Sequence, residues 1–179
     1  MQSPETAKKR QIPSKKIALA GVLLAAALIL SLIESLIPPV IPAAPYAKIG
    51  FANIILIAVL LISGYRWCLL ILIIKCVFTG IFSGNMFSVV YALPAGIIAY
   101  SVSALLFKLP KLGIVAVSAL SSIIHNFIQV TIASMIIGRA VWLTAPYLLA
   151  LGAVAGVGTG VIAFLMLKAV PEKLYSNLN

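Results

Sequence analysis

Long apolar runs separated by short polar or Gly/Pro-rich stretches dominate the chain. A helix that crosses the hydrocarbon core of a bilayer needs roughly 20 predominantly apolar residues. The runs predict six membrane-spanning helices, at 17–37, 54–62, 67–82, 87–107, 112–137 and 146–170. The second run is too short to span unless its helix begins near residue 48. We expect turns at 63–66, 83–86 and 108–111, and an interruption of the fourth helix by Pro94 and Gly96.

The composition of the chain also favours a membrane protein. Of the 179 residues, 63% are hydrophobic and only 9% are charged, against roughly 25% charged in a soluble domain. Mean hydropathy is +1.21, so lipid is the expected solvent for most of the chain. The sequence predicts an all-α integral membrane protein, with a membrane domain at 17–170 between cytoplasmic tails at 1–16 and 171–179.

The basic side chains lie mostly at the ends of the apolar runs. With both termini inside the cell, ten of the 13 Lys and Arg residues fall on the inner side, while Lys48 and Arg139 fall outside and Lys75 lies within a run. Positive residues accumulate on the cytoplasmic side of membrane proteins. The pattern predicts an N-in/C-in protein of the cell membrane, with bacterial inner membrane favoured, and the proline-rich loop 38–45 outside. Charges dispersed in this way do not indicate a nucleic-acid partner.

Acidic residues are too few for several kinds of catalysis. The chain has no aspartate, and its only glutamates are Glu5, Glu34 and Glu172. Carboxylate clusters that hold magnesium diphosphate cannot be assembled from these. One histidine without acidic or cysteine partners is a poor metal site, and no GxxxxGK[ST] nucleotide motif occurs. We expect no catalytic residue and no cofactor in this chain, and we read Cys68 and Cys76 as buried small hydrophobes.

Polar side chains share one face of the fifth predicted helix. Ser118, Ser122, His125, Asn126 and Gln129 follow steps of three or four residues, with Leu, Ile and Phe between them. A neutral imidazole and two carboxamides suit a polar organic ligand. They suit hydrogen bonds between helices equally well.

Lys75 lies in the middle of the third apolar run, over roughly 10 Å from either end of its helix. An ammonium at that depth costs at least about 2.5–3.5 kcal/mol unless it faces a polar interior. One interpretation is an ion pair with Glu34, near the outer end of the first helix. The other is a cation that meets an anionic substrate entering from the outer face, with Thr79 on the same helix face.

Three further residues extend this polar set. Lys48 and Asn53 flank Gly50 before the second helix, and Tyr91 lies in the fourth. Lys48 could instead anchor the chain at the membrane interface, and Tyr91 could be an ordinary packing aromatic. All these polar groups would be satisfied in one outward-facing pocket, so we predict a substrate-binding set of Lys48, Asn53, Lys75, Tyr91, His125, Asn126 and Gln129.

Small residues at four-residue spacing occur on two helices. Gly21 and Ala25 form such a pair on the first helix, and Gly152, Gly156 and Gly160 form a longer series on the sixth. These patterns allow close approach of helices in a membrane. They predict either internal packing or a docking face for a partner subunit.

Three motifs resemble those of one known family, the Gx transporter family, commonly labelled heptaprenyl diphosphate synthase component I. The run Pro45-x-x-Lys48-x-Gly50-Phe-Ala-Asn53 resembles the family's P-x-x-K-x-G-L-A-N signature, and Phe87-Ser-Val-Val-Tyr91 begins a stretch similar to its F-S-x-x-Y-x-x-x-G-G. His125-Asn126-x-x-Gln129 resembles its H-N-x-x-Q. Lys75 stands where the family usually has arginine.

This resemblance implies a six-helix bundle similar to the S components of energy-coupling-factor (ECF) vitamin transporters. Such a protein binds a small molecule near the outer face and couples to an ECF T component and ATPase subunits through small residues of its first helix. The family label implies a different role, that of a non-catalytic membrane subunit for a soluble prenyl diphosphate synthase. Without an aspartate-rich motif, the chain is not expected to transfer prenyl groups alone. The partners expected are therefore the lipid bilayer, a small-molecule ligand and one of these two sets of subunits.

Overall fold

The structure, a computed structural model, describes residues 14–37, 50–109 and 111–169. Lys48, the proline-rich loop, the C-terminal tail and most of the N-terminal tail lie outside these described residues.

Helices make up nearly all of the described chain, which confirms the predicted all-α membrane bundle. The order is α1 (Ser14–Leu36), α2 (Ala52–Ser63), α3 (Tyr65–Phe82), α4 (Phe87–Leu106), α5 (Ile114–Ile137), a 3₁₀ helix (Arg139–Thr144) and α6 (Ala145–Ala169). By length and composition, five of the segments in the described residues can cross a membrane, and α2 is a shorter apolar helix.

Two predicted interruptions are wrong. The turn expected at 63–66 is reduced to Gly64, whose φ of 86° lets the chain reverse between α2 and α3 in one residue. The fourth helix runs unbroken through Pro94. Gly96 does not break it either: this glycine instead admits Leu72 of α3, whose Cδ1 would lie 2.8 Å from an added Cβ.

Successive helices run in opposite directions. Leu72 faces Gly96 while Val89 faces Gly80, so α3 and α4 are antiparallel. The carboxylate of Glu34, at the end of α1, bonds to the backbone N–H of Gly50 just before α2. One end of the bundle, which we call the Glu34 end, therefore holds the ends of α1, α3 and α5 and the starts of α2, α4 and α6. The charge pattern predicts that this end faces outside.

Helix α2 is the centre of the bundle. It packs against α1, α3 and α6, and nine of its 12 residues are buried, Leu56 and Leu60 completely. A helix that is apolar on every side fits an all-round protein environment. Twelve residues span only about 18 Å, well short of a hydrocarbon core of about 30 Å. Residues outside α2 must therefore complete the bundle at the Glu34 end, above the start of α2.

Glycines bring α6 against α5. An added Cβ at Gly156 would lie 2.7 Å from the Cα of Ala119, and one at Gly160 would lie 2.8 Å from the Cα of Val115. These two residues thus pack internally. Gly21 and Ala25 of α1 are exposed, and Gly21 has no heavy atom within 4 Å of an added Cβ. That pair faces away from the bundle, so its role as a docking face stays a prediction.

The orientation can be checked with two single cysteines. Met86→Cys lies in an exposed turn at the Glu34 end, and Lys111→Cys lies in an exposed turn at the opposite end. A membrane-impermeant maleimide added to intact cells should label the first, and should label the second only after permeabilisation. The unmodified chain is the control because Cys68 and Cys76 are buried. Labelling of Lys111→Cys from outside would reverse the predicted orientation.

The close packing of α5 against the glycines of α6 predicts that two alanine variants of α6 change the free energy of unfolding in opposite directions. Gly156→Ala should lower the free energy of unfolding by about 1–3 kcal/mol, since the new methyl group meets backbone. Gly158→Ala should be neutral or slightly stabilising, because nothing lies within 4 Å of its Cβ position and alanine favours helix by about 1 kcal/mol. Thermal unfolding in detergent measures both, and equal effects would exclude close α5–α6 packing.

Candidate functional site

A cavity lies at the Glu34 end of the bundle, above the start of α2. Its volume is about 70 Å³, where one ordered water needs roughly 10–15 Å³. It can hold several waters or the polar part of a small molecule. Residues of all six α-helices and of the approach to α2 line it: Ser31, Glu34, Gly50, Asn53, Leu72, Lys75, Cys76, Thr79, Ser88, Val89, Tyr91, Ala92, Ser122, His125, Asn126, Gln129 and Gly152.

The structure brings six of the seven residues predicted to bind substrate to this one cavity. They are Asn53, Lys75, Tyr91, His125, Asn126 and Gln129. The seventh, Lys48, lies outside the described residues. The six come from four helices, α2 to α5, so their convergence is a property of the fold and not of any one motif. Their role in binding a ligand stays a prediction.

Lys75 and Glu34 are the two charged residues among the described side chains that line the cavity. Lys75 is half-buried on α3. Glu34 is only 5% exposed on α1. Among the described residues, no ion pair within 4 Å joins these two groups. The Glu34 carboxylate instead accepts a hydrogen bond from the backbone N–H of Gly50, next to the positive end of the α2 dipole.

Two buried polar atoms of the cavity lining have no hydrogen-bond partner in the structure. They are the Oγ1 of Thr79, a residue 5% exposed, and the Nδ1 of His125. Buried polar atoms are nearly always paired with protein or with an ordered molecule, because an unmet hydrogen bond there costs about 1–3 kcal/mol. Both atoms therefore lack the partner that a buried polar atom ordinarily has.

The Asn126 side chain, by contrast, is held by the protein. The Asn126 side chain donates from Nδ2 to the carbonyl oxygen of Leu148 on α6, at 2.8 Å. Gly152, predicted as a packing residue, leaves the space that this carboxamide fills. Tyr91 and Gln129 are buried, at 4% and 7% exposed. Asn126 thus lines the cavity and also forms a hydrogen bond between α5 and α6. Its position is compatible with both interpretations made from sequence, ligand binding and hydrogen bonding between helices.

Sequence reasoning missed part of the lining. Ser31 was not considered, and Glu34 was considered only as a partner for Lys75. Both are polar, three residues apart, in a mostly apolar helix, and that spacing places them on one face. The same signal identified Lys75 and Thr79 on α3. Within the described residues, no group of three or more His, Cys, Asp or Glu side chains could hold a metal ion.

Two leucine substitutions test whether a polar side chain of α5 bonds to another helix or is available to a ligand. Asn126→Leu should lower the free energy of unfolding by about 1–2 kcal/mol, because it removes the bond to Leu148. His125→Leu should be neutral or stabilising, because it replaces a group whose Nδ1 is unpartnered. Thermal unfolding of the ligand-free protein in detergent makes the comparison. A larger loss for His125→Leu would mean that the imidazole holds the fold.

A family model described as heptaprenyl diphosphate synthase component I matches residues 23–166 of the chain. The match covers α2 to α5 entirely and most of α1 and α6, and so includes every described residue of the cavity lining. No curated protein and no solved structure matches the chain significantly.

Proposed function

The chain belongs to the heptaprenyl diphosphate synthase component I family, and we propose that it is a membrane-embedded binding protein that takes a small anionic or polar-headed molecule from the outer face. In this proposal it acts like the S component of an ECF transporter. It binds the molecule, and partner subunits or an ion gradient supply the energy.

One observation carries the proposal. Polar side chains from five helices meet in a single cavity, and two atoms of that lining, on Thr79 and His125, have no partner in the structure. A bundle held together only by interhelical hydrogen bonds would pair such atoms with one another. A polar ligand would satisfy both of them and would also meet the ammonium of Lys75.

Each residue has a stated role in binding. Lys75 neutralises the anionic part of the ligand. Its polar groups are held by Asn53, His125, Asn126 and Gln129. The ring of Tyr91 supplies a stacking surface. Lys48, before α2, attracts the anion to the mouth of the site. The predicted orientation places the cavity in the outer half of the membrane, so the ligand enters from outside.

The family description supports a second candidate of a different class. The chain would be a non-catalytic membrane subunit of isoprenoid or quinone biosynthesis that holds a diphosphate head group for a soluble prenyl synthase. Partners distinguish the two functions: an ECF T component and ATPase subunits belong to transport, and a synthase subunit belongs to assembly.

Native mass spectrometry of protein gently extracted from its own membrane tests the proposal. We expect a retained small molecule, which Lys75→Met should reduce by about tenfold or more, since a hydrogen bond to a charged group contributes about 1.5–3 kcal/mol. Lys111→Met removes the same charge from an exposed turn and should retain the molecule fully.

Two results would contradict the proposal. If Lys75→Met and His125→Ala both left ligand retention and uptake unchanged, the cavity would not be the binding site. If the protein instead retained a prenyl diphosphate together with a synthase subunit, the assembly function would replace transport.

A further inference from the structure

We propose that the ligand of this cavity carries a cationic group as well as an anionic one, as a small amino acid does, and that Glu34 recognises the cationic end. The inference rests on the proposed function, which it narrows from small anionic or polar-headed molecules to zwitterions. Two neighbouring subsites, on α1 and α3, carry it.

The subsite on α3 suits a carboxylate. Lys75 and Thr79 lie one helical turn apart and both line the cavity. The Thr79 hydroxyl is buried without a partner, so it can donate to an oxygen of the ligand. An ammonium and a hydroxyl together offer the two donors that a carboxylate accepts.

The subsite on α1 suits a cation. Glu34 is buried, lines the cavity, and lies on the same helix face as Ser31. Its carboxylate accepts the N–H of Gly50, and a carboxylate has about four lone-pair positions. It can therefore accept further bonds from an ammonium of the ligand. Helices α1 and α3 pack against each other, so the two subsites belong to one wall of the cavity.

The balance of charge disfavours a diphosphate head group. The described lining contributes one positive and one negative side chain, and the Glu34 carboxylate already bonds the backbone N–H at the approach to α2, where a helix would bind an anion. A diphosphate would bring several negative charges against a single described cation and beside a buried carboxylate. A zwitterion leaves the cavity neutral and gives each charged side chain an opposite partner.

The test uses the purified full chain in lipid nanodiscs and a series of probes. The zwitterions are glycine, β-alanine, γ-aminobutyrate and ε-aminohexanoate. Each is compared with the carboxylate and the amine of matching length, and with inorganic pyrophosphate. The series varies the distance between the charges, so the result does not depend on guessing their separation. Isothermal titration calorimetry measures each affinity.

We expect one member of the series to bind about tenfold or more tightly than its carboxylate and its amine. Glu34→Gln should remove the advantage over the carboxylate, and Lys75→Met should remove the advantage over the amine. Glutamine keeps an oxygen that can accept the Gly50 N–H, so this variant should still fold, and its thermal unfolding checks that. Lys111→Met is the control and should bind as the unaltered chain does.

The outcomes separate this inference from the function on which it rests. Carboxylates or pyrophosphate that bind as tightly as the zwitterions, in a manner dependent on Lys75, would overturn the zwitterion proposal and leave an anion-binding cavity. An advantage that survives Glu34→Gln would overturn the role of Glu34. If no probe binds with a preference for two charges, the inference is wrong; if Lys75→Met also leaves retention of the native molecule unchanged, the proposed function fails with it.

Discussion

The hydrocarbon core of a bilayer offers no hydrogen bonds, and this constraint shapes the structure. Every polar side chain within the spans must find its partner inside the bundle or in a cavity of the bundle. Lys75, Glu34 and His125 all face the interior at one end. The short central helix makes their position possible, because the cavity lies next to its first turn, at Gly50 and Asn53.

The packing of α5 on α6 fixes one wall of this cavity. Gly156 and Gly160 draw the two backbones together, and one turn further Gly152 admits the Asn126 carboxamide, which bonds to the Leu148 carbonyl. Asn126 directly follows His125 on α5. The contact that fixes the Asn126 side chain against α6 therefore also sets where the imidazole lies. Helix packing and the site are thus two consequences of one interface, and the glycine series of α6 serves both.

Much of the fold could be predicted from local sequence. Apolar runs bounded by turn residues gave helix bounds that differ from the structure by at most three residues for α1 and α3 to α6. Contacts between residues of different helices were harder to predict from the sequence. The bond between Glu34 and Gly50 joins positions 16 residues apart, and no periodicity of either segment indicates it. The continuity of α4 through Pro94 was not predicted either, although Pro is tolerated within membrane helices.

For the site, too, local spacing was predictable from the sequence and the contacts between helices were not. Helical spacing assigned Lys75 with Thr79, and His125 with Asn126 and Gln129, to single faces, and the cost of burying them argued that those faces meet. It could not decide between pairing with Glu34 and meeting a ligand, because that depends on the relative rotation of α1 and α3. The structure has Glu34 bonded to Gly50 instead.

The most direct test is a high-resolution cryo-electron microscopy map of the protein purified from its own membrane. Ligand binding predicts non-protein density in the cavity, in contact with the Lys75 ammonium and His125 Nδ1. An ion pair within 4 Å between Lys75 and Glu34, with side chains packed around it and no such density, would contradict the account and leave a purely structural bundle.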